Sequence, residues 1–442
     1  MSTLVARPGR HTHRNWSGSA RFTPQQVLTP RGEDEVLSAL ALARRRGLPL
    51  RVVGGGHSFT PLVATDGVLL SLDEHQGLVS ADPATGLVTL RGGTRLWVIA
   101  ELLAPHGLAL SVMGDIDRQS IAGAIQTGTH GTGARLTGFA GMVRALRLAL
   151  PDGSIVDVSP EREPHLFEAA RLGLGTLGVI LEVTLQCVPA YRLALHEANV
   201  PAGEAIGSFL ADSALADHHE IFWFPRTDRA TVRTMRRLPA TAERHRPARA
   251  LELLQREVLG NGAFEVMCRG AALVPPLSRP VAEIASRAFA GPGIVDDSPA
   301  VYAAPRRVRF HESEWALPAE RAEEALAALP ARFEAEDVRV TFPLEIRRVA
   351  ADDVWLSTAH GRDSVYLAAH RYHREDAGPY LRLVQDTLAP FDARPHWGKL
   401  HWLGAAELSR LYPRFADFTA VRRAVDPDGL LMTPYLDRLL GR

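Results

Sequence analysis

The chain has 442 residues, with 50 basic and 50 acidic side chains and a formal net charge of 0. A general nucleic-acid binder carries a basic excess that meets phosphate charge, so that class is excluded. Hydrophobic residues make up 46% and charged residues 23%, values of a folded protein rather than a disordered one. At about 150 residues per domain the length allows two or three domains. No apolar run approaches the roughly 18 residues that a membrane span needs. Residues 1–19 are polar and lack the apolar stretch of a secretory leader. Cys187 and Cys268 form neither a CxxC pair nor a zinc spacing. They read as two buried, reduced thiols, and the chain reads as cytoplasmic.

Residues 34–46 are amphipathic and predict a helix that Gly47 ends. Residues 48–53 predict a strand running into Gly54-Gly55-Gly56. Strands are expected at 67–72 and 86–93, then a helix at 97–107. Residues 114–133 are rich in Gly, Thr and Ser. Two alternating runs within 143–158 meet at Asp152-Gly153 and predict a β-hairpin. A helix over 163–175 and a strand over 179–188 follow, and Pro189 marks the end of the first domain. Beyond it, strands are expected at 222–226, 338–349, 365–372 and 396–403, and helices at 318–333 and 376–388. That succession predicts an antiparallel sheet with helices on one face. Residues 237–250, charged and rich in Pro and Ala, predict a surface loop.

Gly173-Leu174-Gly175-Thr176-Leu177-Gly178 matches GxGxxG, but its context is inverted. A nicotinamide site needs a strand before the motif and a helix after it. Here a helix precedes and a strand follows, so the motif reads as a tight turn. Gly54, Gly55, Gly56, His57 and Ser58 are different: a strand ends in three glycines, whose exposed amides suit a diphosphate. A second loop, Thr127, Gly128, Thr129, His130, Gly131, Thr132 and Gly133, offers more amides and hydroxyls. Together the two loops could clamp one pyrophosphate.

The segments RVVGGGHSFTPL and MGDIDRQSIAGAIQTGTHGTG resemble the FAD-binding domain of the vanillyl-alcohol-oxidase superfamily. The C-terminal half, with LEIRRVAADDVWLSTAHGRDS, AAHRYH, RPHWGKLHW and DPDGLLMTPYLDRLLG, resembles the sugar-lactone and alditol oxidase branch. The likeness runs from about residue 14 to 442. It implies an α+β fold: a two-subdomain FAD-binding domain (1–190), a substrate domain with an antiparallel sheet flanked by helices (191–403), and a returning C-terminal segment (404–442). It also implies FAD as cofactor, O2 as electron acceptor, and a small sugar lactone or polyol as substrate.

In this family the histidine of the GHS loop carries FAD covalently, and His57 stands there. The resemblance assigns cofactor contacts to Asp117, Arg118, Ser120 and the 127–133 loop, and to Gly178 and Ile180. Glu345 and Arg347, at i and i+2 of an expected strand, face one way, so a carboxylate and a guanidinium can hold a vicinal diol. Arg348 points to the opposite face. Lys399 of HWGK matches an active-site lysine able to stabilise charge as hydride leaves. Lysine is otherwise scarce here and arginine greatly favoured. His370 is the candidate base for the hydroxyl proton. Gly114 matches the position that gates oxygen, and its small size implies an oxidase. Asp115 departs from the serine of alditol oxidases and tilts the expectation toward a lactone. No metal ligand set is expected.

Overall fold

The computed structural model describes residues 12–248, 260–288, 290–304 and 306–441. Three strands, Gln26–Leu28 (β1), Leu50–Val53 (β2) and Val68–Ser71 (β3), form a parallel sheet in the order β1-β3-β2. The helix Glu33–Arg46 covers it with Val36, Ala39, Leu40 and Ala43. Its first turn holds three acidic residues and its last turn three arginines, both signs suited to the helix dipole. Gly47 ends it in the left-handed region, at φ 62°.

A second, antiparallel sheet follows. It uses Leu78–Asp82 (β4), Leu87–Arg91 (β5), Val143–Ala149 (β6), Ile155–Val158 (β7) and Val179–Gln186 (β8), ordered β7-β6-β8-β5-β4. The expected hairpin is β6–β7, with Ile155 opposite Ala149.

The third sheet has eight antiparallel strands. They are Tyr191–Pro201 (β9), His218–Trp223 (β10), Arg229–Pro239 (β11), Ile294–Asp297 (β12), Phe310–Pro318 (β13), Leu344–Val349 (β14), Ser364–Tyr372 (β15) and Arg394–Pro395 (β16). Their order is β12-β9-β11-β10-β14-β15-β13-β16. Helices Ala202–Leu215, Ala322–Ala335 and Gly378–Leu388 cover one face, where they pack on Ile221, Trp315, Leu317, Leu344, Ile346 and Leu367. Side chains alternate along a strand, so the residues between these project from the other face. Those residues are Glu220, Glu312, Glu314, Glu345, Arg347 and His370. Arg348, in phase with Ile346, instead donates to the Leu210 carbonyl of the covering helix. The last helices return to the second sheet's core through Leu408, Phe418, Leu436 and Leu439.

Several expectations change. Residues 396–403 form no strand: ladder pairing stops at Pro395, and the loop that follows stays largely buried, with only single amide bonds from His396 and Leu400 to β13. The reason is that Gly398 gives its carbonyl to the amide of Phe59, at 2.7 Å, rather than to a sheet neighbour. Residues 338–343 precede β14 as a loop, and the strand expected at 222–226 ends at Trp223, because Arg226 turns with φ 62°. The helix over 163–175 stops at Ala170, before a turn in which Leu174 and Gly175 both take positive φ. Residues 237–239 close β11 rather than opening a loop, and 249–250 lie outside the described residues. The β9–β11 ribbon and the helix pair Phe264–Leu273 and Ser278–Ala288 have no counterpart in the sequence reading.

Arg51 ties three separate parts of the chain together. Its guanidinium, buried, donates to the carbonyls of Leu174 (2.6 Å), Gly175 (2.8 Å) and Leu431 (2.6 Å). Burial pulls its pKa down to about 10, partly opposed by Asp426, so it stays charged at neutral pH. Arg51→Met leaves three carbonyls without a donor. It is expected to cost about 3 kcal/mol, read as a lower urea midpoint at unchanged slope.

Candidate active site

The polar face of the eight-stranded sheet closes on the loops of the N-terminal region around a cavity of about 770 Å3. A narrower crevice of about 90 Å3 continues beneath the glycine loop. His57, Ser58, Gln119 and Thr127 line both spaces, so they form one elongated site.

The glycine loop follows β2 and is pinned from outside. Trp16 donates its amide to the Gly56 carbonyl at 2.8 Å, and Asn15 Nδ2 donates to the Ser58 carbonyl at 2.8 Å. Gly56 takes φ 66°, a conformation that favours glycine. A Cβ at Gly54 or Gly55 would collide with Ser120 or the Arg118 carbonyl, so the triplet lets the 117–120 segment pack close. Among the described residues, the amides of Gly55, Gly56, His57 and Ser58 find no protein acceptor. The His57 ring stacks beside Trp16 at 6.0 Å, and neither ring nitrogen has a hydrogen bond among the described residues. Burial, with Arg95, Lys399 and Arg118 nearby, lowers its pKa to about 4. His57 is therefore a neutral imidazole with a free lone pair. Free amides beside a free imidazole fit a bound dinucleotide whose reactive ring reaches His57.

The expected cofactor contacts divide. Asp117, Thr127, Thr129, His130, Gly114 and Ser58 line the cavity, while Gly54–Gly56, Ser120, Gly178 and Ile180 line the crevice. Gly128, Gly131 and Gly133 line neither. Gly131 is packed on the Met113 carbonyl, and Gly133 donates its amide to the Arg348 carbonyl at 2.7 Å. The second loop thus joins the two halves of the molecule more than it cradles a ligand. A Cβ at Gly114 would meet the His130 carbonyl at 3.0 Å, so a larger residue would press on that loop.

On the sheet side, Arg347 is the centre of a buried charge cluster. Nη2 meets Asp115 Oδ2 at 2.6 Å and contacts Glu345, and Nε meets Glu220 Oε2 at 3.2 Å. Arg306 holds the same Asp115 oxygen at 2.7 Å, and Arg233 bridges Glu220 (2.9 Å) and Glu197 (2.7 Å). Asp115, Glu197, Glu220 and Glu345 outnumber the three guanidiniums by one. Burial resists every charge here. For Asp115 the arginines Arg347 and Arg306 outweigh it and hold the carboxyl well below its usual range. For Glu345 burial wins, helped by Asp115 and Glu220 against Arg347, and pushes the carboxyl well above its usual range. Glu345 is thus the carboxyl of the four whose charge the cluster opposes.

The same sheet face carries a second group. Glu312 Oε2 pairs with Lys399 Nζ at 2.5 Å, and Oε1 lies 3.6 Å from His370 Nε2. His370 Nδ1 lies 2.9 Å from the Pro343 carbonyl, which makes Nδ1 the protonated nitrogen and leaves the Nε2 lone pair facing Glu312. Burial lowers the His370 pKa against the pull of Glu312. Lys399 lies over the Phe59 ring at 5.0 Å, and it is the one lysine in the sequence. Glu314, two residues from Glu312, pairs with His130 at 3.2 Å; burial opposes its charge, but His130 outweighs this and keeps the carboxyl well below its usual range.

The structure therefore gathers Asp115, Glu345, Arg347, His370 and Lys399 on one cavity with His57. Sequence reading missed Glu220, Glu312, Glu314, Arg233, Arg306 and His396. Glu312-x-Glu314 carries the same i, i+2 signal as Glu345-x-Arg347, and only the strand boundary was lacking.

The site and its fold define a flavoprotein oxidoreductase with two carboxylate clusters on one sheet face. Residues 24–159 match the family model described as FAD binding domain, and residues 183–439 match that of D-arabinono-1,4-lactone oxidase. The fold is that of a cholesterol oxidase from Brevibacterium sterolicum, with TM-score 0.82 and 17% identity over 99% of this chain and 97% of that one. An L-gulono-1,4-lactone dehydrogenase of Mycobacterium tuberculosis is 36% identical over 97% of this chain and 98% of its own. An alditol oxidase of a Streptomyces species is 31% identical over the full length of both. The chain belongs to the D-arabinono-1,4-lactone oxidase family.

The raised Glu345 carboxyl has a consequence for stability. The folded state holds its proton where the unfolded chain has lost it, so stability falls as pH rises from the ordinary carboxylate value toward the folded one. Glu345→Gln mimics the neutral acid. Its urea midpoint between pH 5 and 8 is expected to decline less with pH than that of the parent.

Proposed function

We propose that this protein is an FAD-dependent oxidase of an aldono-1,4-lactone, of the D-arabinono or L-gulono type, with O2 as acceptor. The observation that carries the reading is one cavity lined at once by His57, the Glu345–Arg347 pair, His370 and Lys399. Names of the relatives, lactone oxidases and dehydrogenases among them, support the substrate class.

The 54–58 loop and His57 would hold the flavin, which would supply the hydride acceptor, with O2 as the final oxidant and H2O2 as its product. The unpaired, neutral His57 imidazole supports a covalent link at that residue. Arg347 spends Nε and Nη2 on carboxylates, which leaves Nη1 to donate to a substrate hydroxyl. Neutral Glu345 can donate a hydrogen bond as well as accept one. Both residues orient the ring oxygens of a small sugar. His370 Nε2 takes the hydroxyl proton, and Lys399 offsets the negative charge that develops on the oxygen. In a lactone the C2 alcohol becomes a ketone, which enolises to an ascorbate-like product.

Asp115 favours a lactone over an open alditol. Tied to Arg306 and Arg347, it fills space that a serine would leave open. Gly114 supports access for O2. A lactone dehydrogenase is the second reading, because the relative that is 36% identical carries that name. Two thiols, buried and free, are consistent with work in the cytoplasm.

The test is a visible spectrum of the purified protein before and after acid precipitation, with peroxide assays on aldono-1,4-lactones and xylitol. Flavin retained in the pellet, and lost from the pellet of His57→Ala, is expected. H2O2 formed from a lactone faster than from xylitol is expected as well. Dye reduction without peroxide would favour the dehydrogenase, and no turnover of lactone or polyol would overturn the reading.

A further inference from the structure

The face that carries Glu345 and Arg347 also presents Glu312, which the reading above gives no role. Glu312 is buried on β13, and its two oxygens serve two partners on different elements. Oε2 holds Lys399 at 2.5 Å from the 396–400 loop, and Oε1 faces His370 Nε2 on β15 at 3.6 Å. The backbone locks this arrangement: Leu400 donates its amide to the Glu312 carbonyl at 2.9 Å, and His396 donates to Glu314 at 2.9 Å.

We propose that Glu312 is a positioning residue of the reaction, which holds the Lys399 ammonium at the cavity and balances the proton that His370 takes from the substrate hydroxyl. The inference rests on the function proposed above. In the step itself the substrate O–H bond breaks, a new N–H bond forms at His370 Nε2, and the ring becomes an imidazolium. Its positive charge then lies beside the Glu312 carboxylate, which would otherwise be absent from a desolvated wall.

Composition points the same way. Lys399 is the single lysine of the chain, and every other member of its Lys/Arg set is arginine. Arginine stays charged and presents a wide, planar fork. A compact amine that fits between Glu312, the Phe59 ring and the cavity is what arginine cannot supply. The other titratable or charged groups facing the trio are Arg306 near His370, Glu314 and His396 near Lys399, and His57 across the cavity. His57 and His396 are neutral at pH 7, with pKa values of about 4 and about 3. Glu312 is thus the carboxylate that touches both Lys399 and His370 among the described residues.

The single lysine makes a direct test practical. Trace acetic anhydride labels the holoenzyme across pH 7–11, and mass spectrometry reads the Lys399 peptide apart from the chain's α-amine. Glu312→Gln removes the carboxylate, so the labelling midpoint of Lys399 should fall by about one pH unit, a tenfold change at fixed pH, with the high-pH plateau unchanged. A mere loosening of the site would raise the plateau and leave the midpoint in place. Both limbs of the kcat–pH bell should move to lower pH together, because His370 loses the charge that raises its pKa and Lys399 loses its partner. Glu312→Asp should restore part of both shifts, and it carries the test if the Gln variant does not fold. An unmoved midpoint overturns the proposal whatever the activity. A moved midpoint in a protein that oxidises no lactone or polyol would instead sink the function assigned above while leaving the Glu312–Lys399 coupling in place.

Discussion

Charge buried on a sheet face must be neutralised there, and the architecture of this protein is organised around that requirement. Arg347 stands at the centre, with Asp115, Glu220 and Glu345 within reach. An unpaired ion in such a place costs several kcal/mol. Asp115 comes from the N-terminal half, Glu220 from β10, Glu345 and Arg347 from β14, and Arg306 from the loop before β13. Satisfying one guanidinium therefore fixes the relation of both halves of the molecule. The surplus falls on Glu345, whose hold on a proton is raised by burial and by Asp115 and Glu220, and a protonated carboxyl there is a hydrogen-bond donor facing the cavity.

The two halves are also joined by backbone hydrogen bonds, and these set the site's geometry. Phe59 donates its amide to Gly398, which draws the 396–400 loop against the glycine loop. Gly133 donates to Arg348, which draws the 127–133 loop against β14. Each bond replaces a partner that a regular strand would have used. The irregular segments are thus those that bridge the halves, and His57, His130 and Lys399 all lie on them. The rigid sheets hold these loops in place, while Glu345, Arg347 and His370 stand on the strands themselves.

Much of this was legible beforehand. The strand after Glu33–Arg46, the Asp152-Gly153 hairpin and the phase of Glu345, Arg347 and Arg348 follow from local periodicity and turn chemistry, so they needed no tertiary knowledge. The strand expected over 396–403 failed because an apolar, aromatic run is compatible with any buried extended chain. Gly131 and Gly133 were assigned to the cofactor because a glycine loop looks alike whether it approaches a ligand or another backbone. Glu312 and Glu314 passed unnoticed because an acidic pair reads as a solvated edge until the strand is known to be central.

The sequence by itself determined the family, the alternation that puts the candidate site residues on one face, and the identity of many side chains that line the cavity. These depend on residue type and on spacings of a few positions, which the chain carries locally. Tertiary structure alone decided the protonation and pairing of those side chains. How strongly Glu345 holds a proton, which nitrogen of His370 is free and what Lys399 touches depend on groups brought from separate parts of the chain: Asp115 and Glu220 for Glu345, the Pro343 carbonyl for His370, and Glu312 for Lys399. Coulomb energies and desolvation are set by distance and burial in space, and no pattern along the chain encodes either.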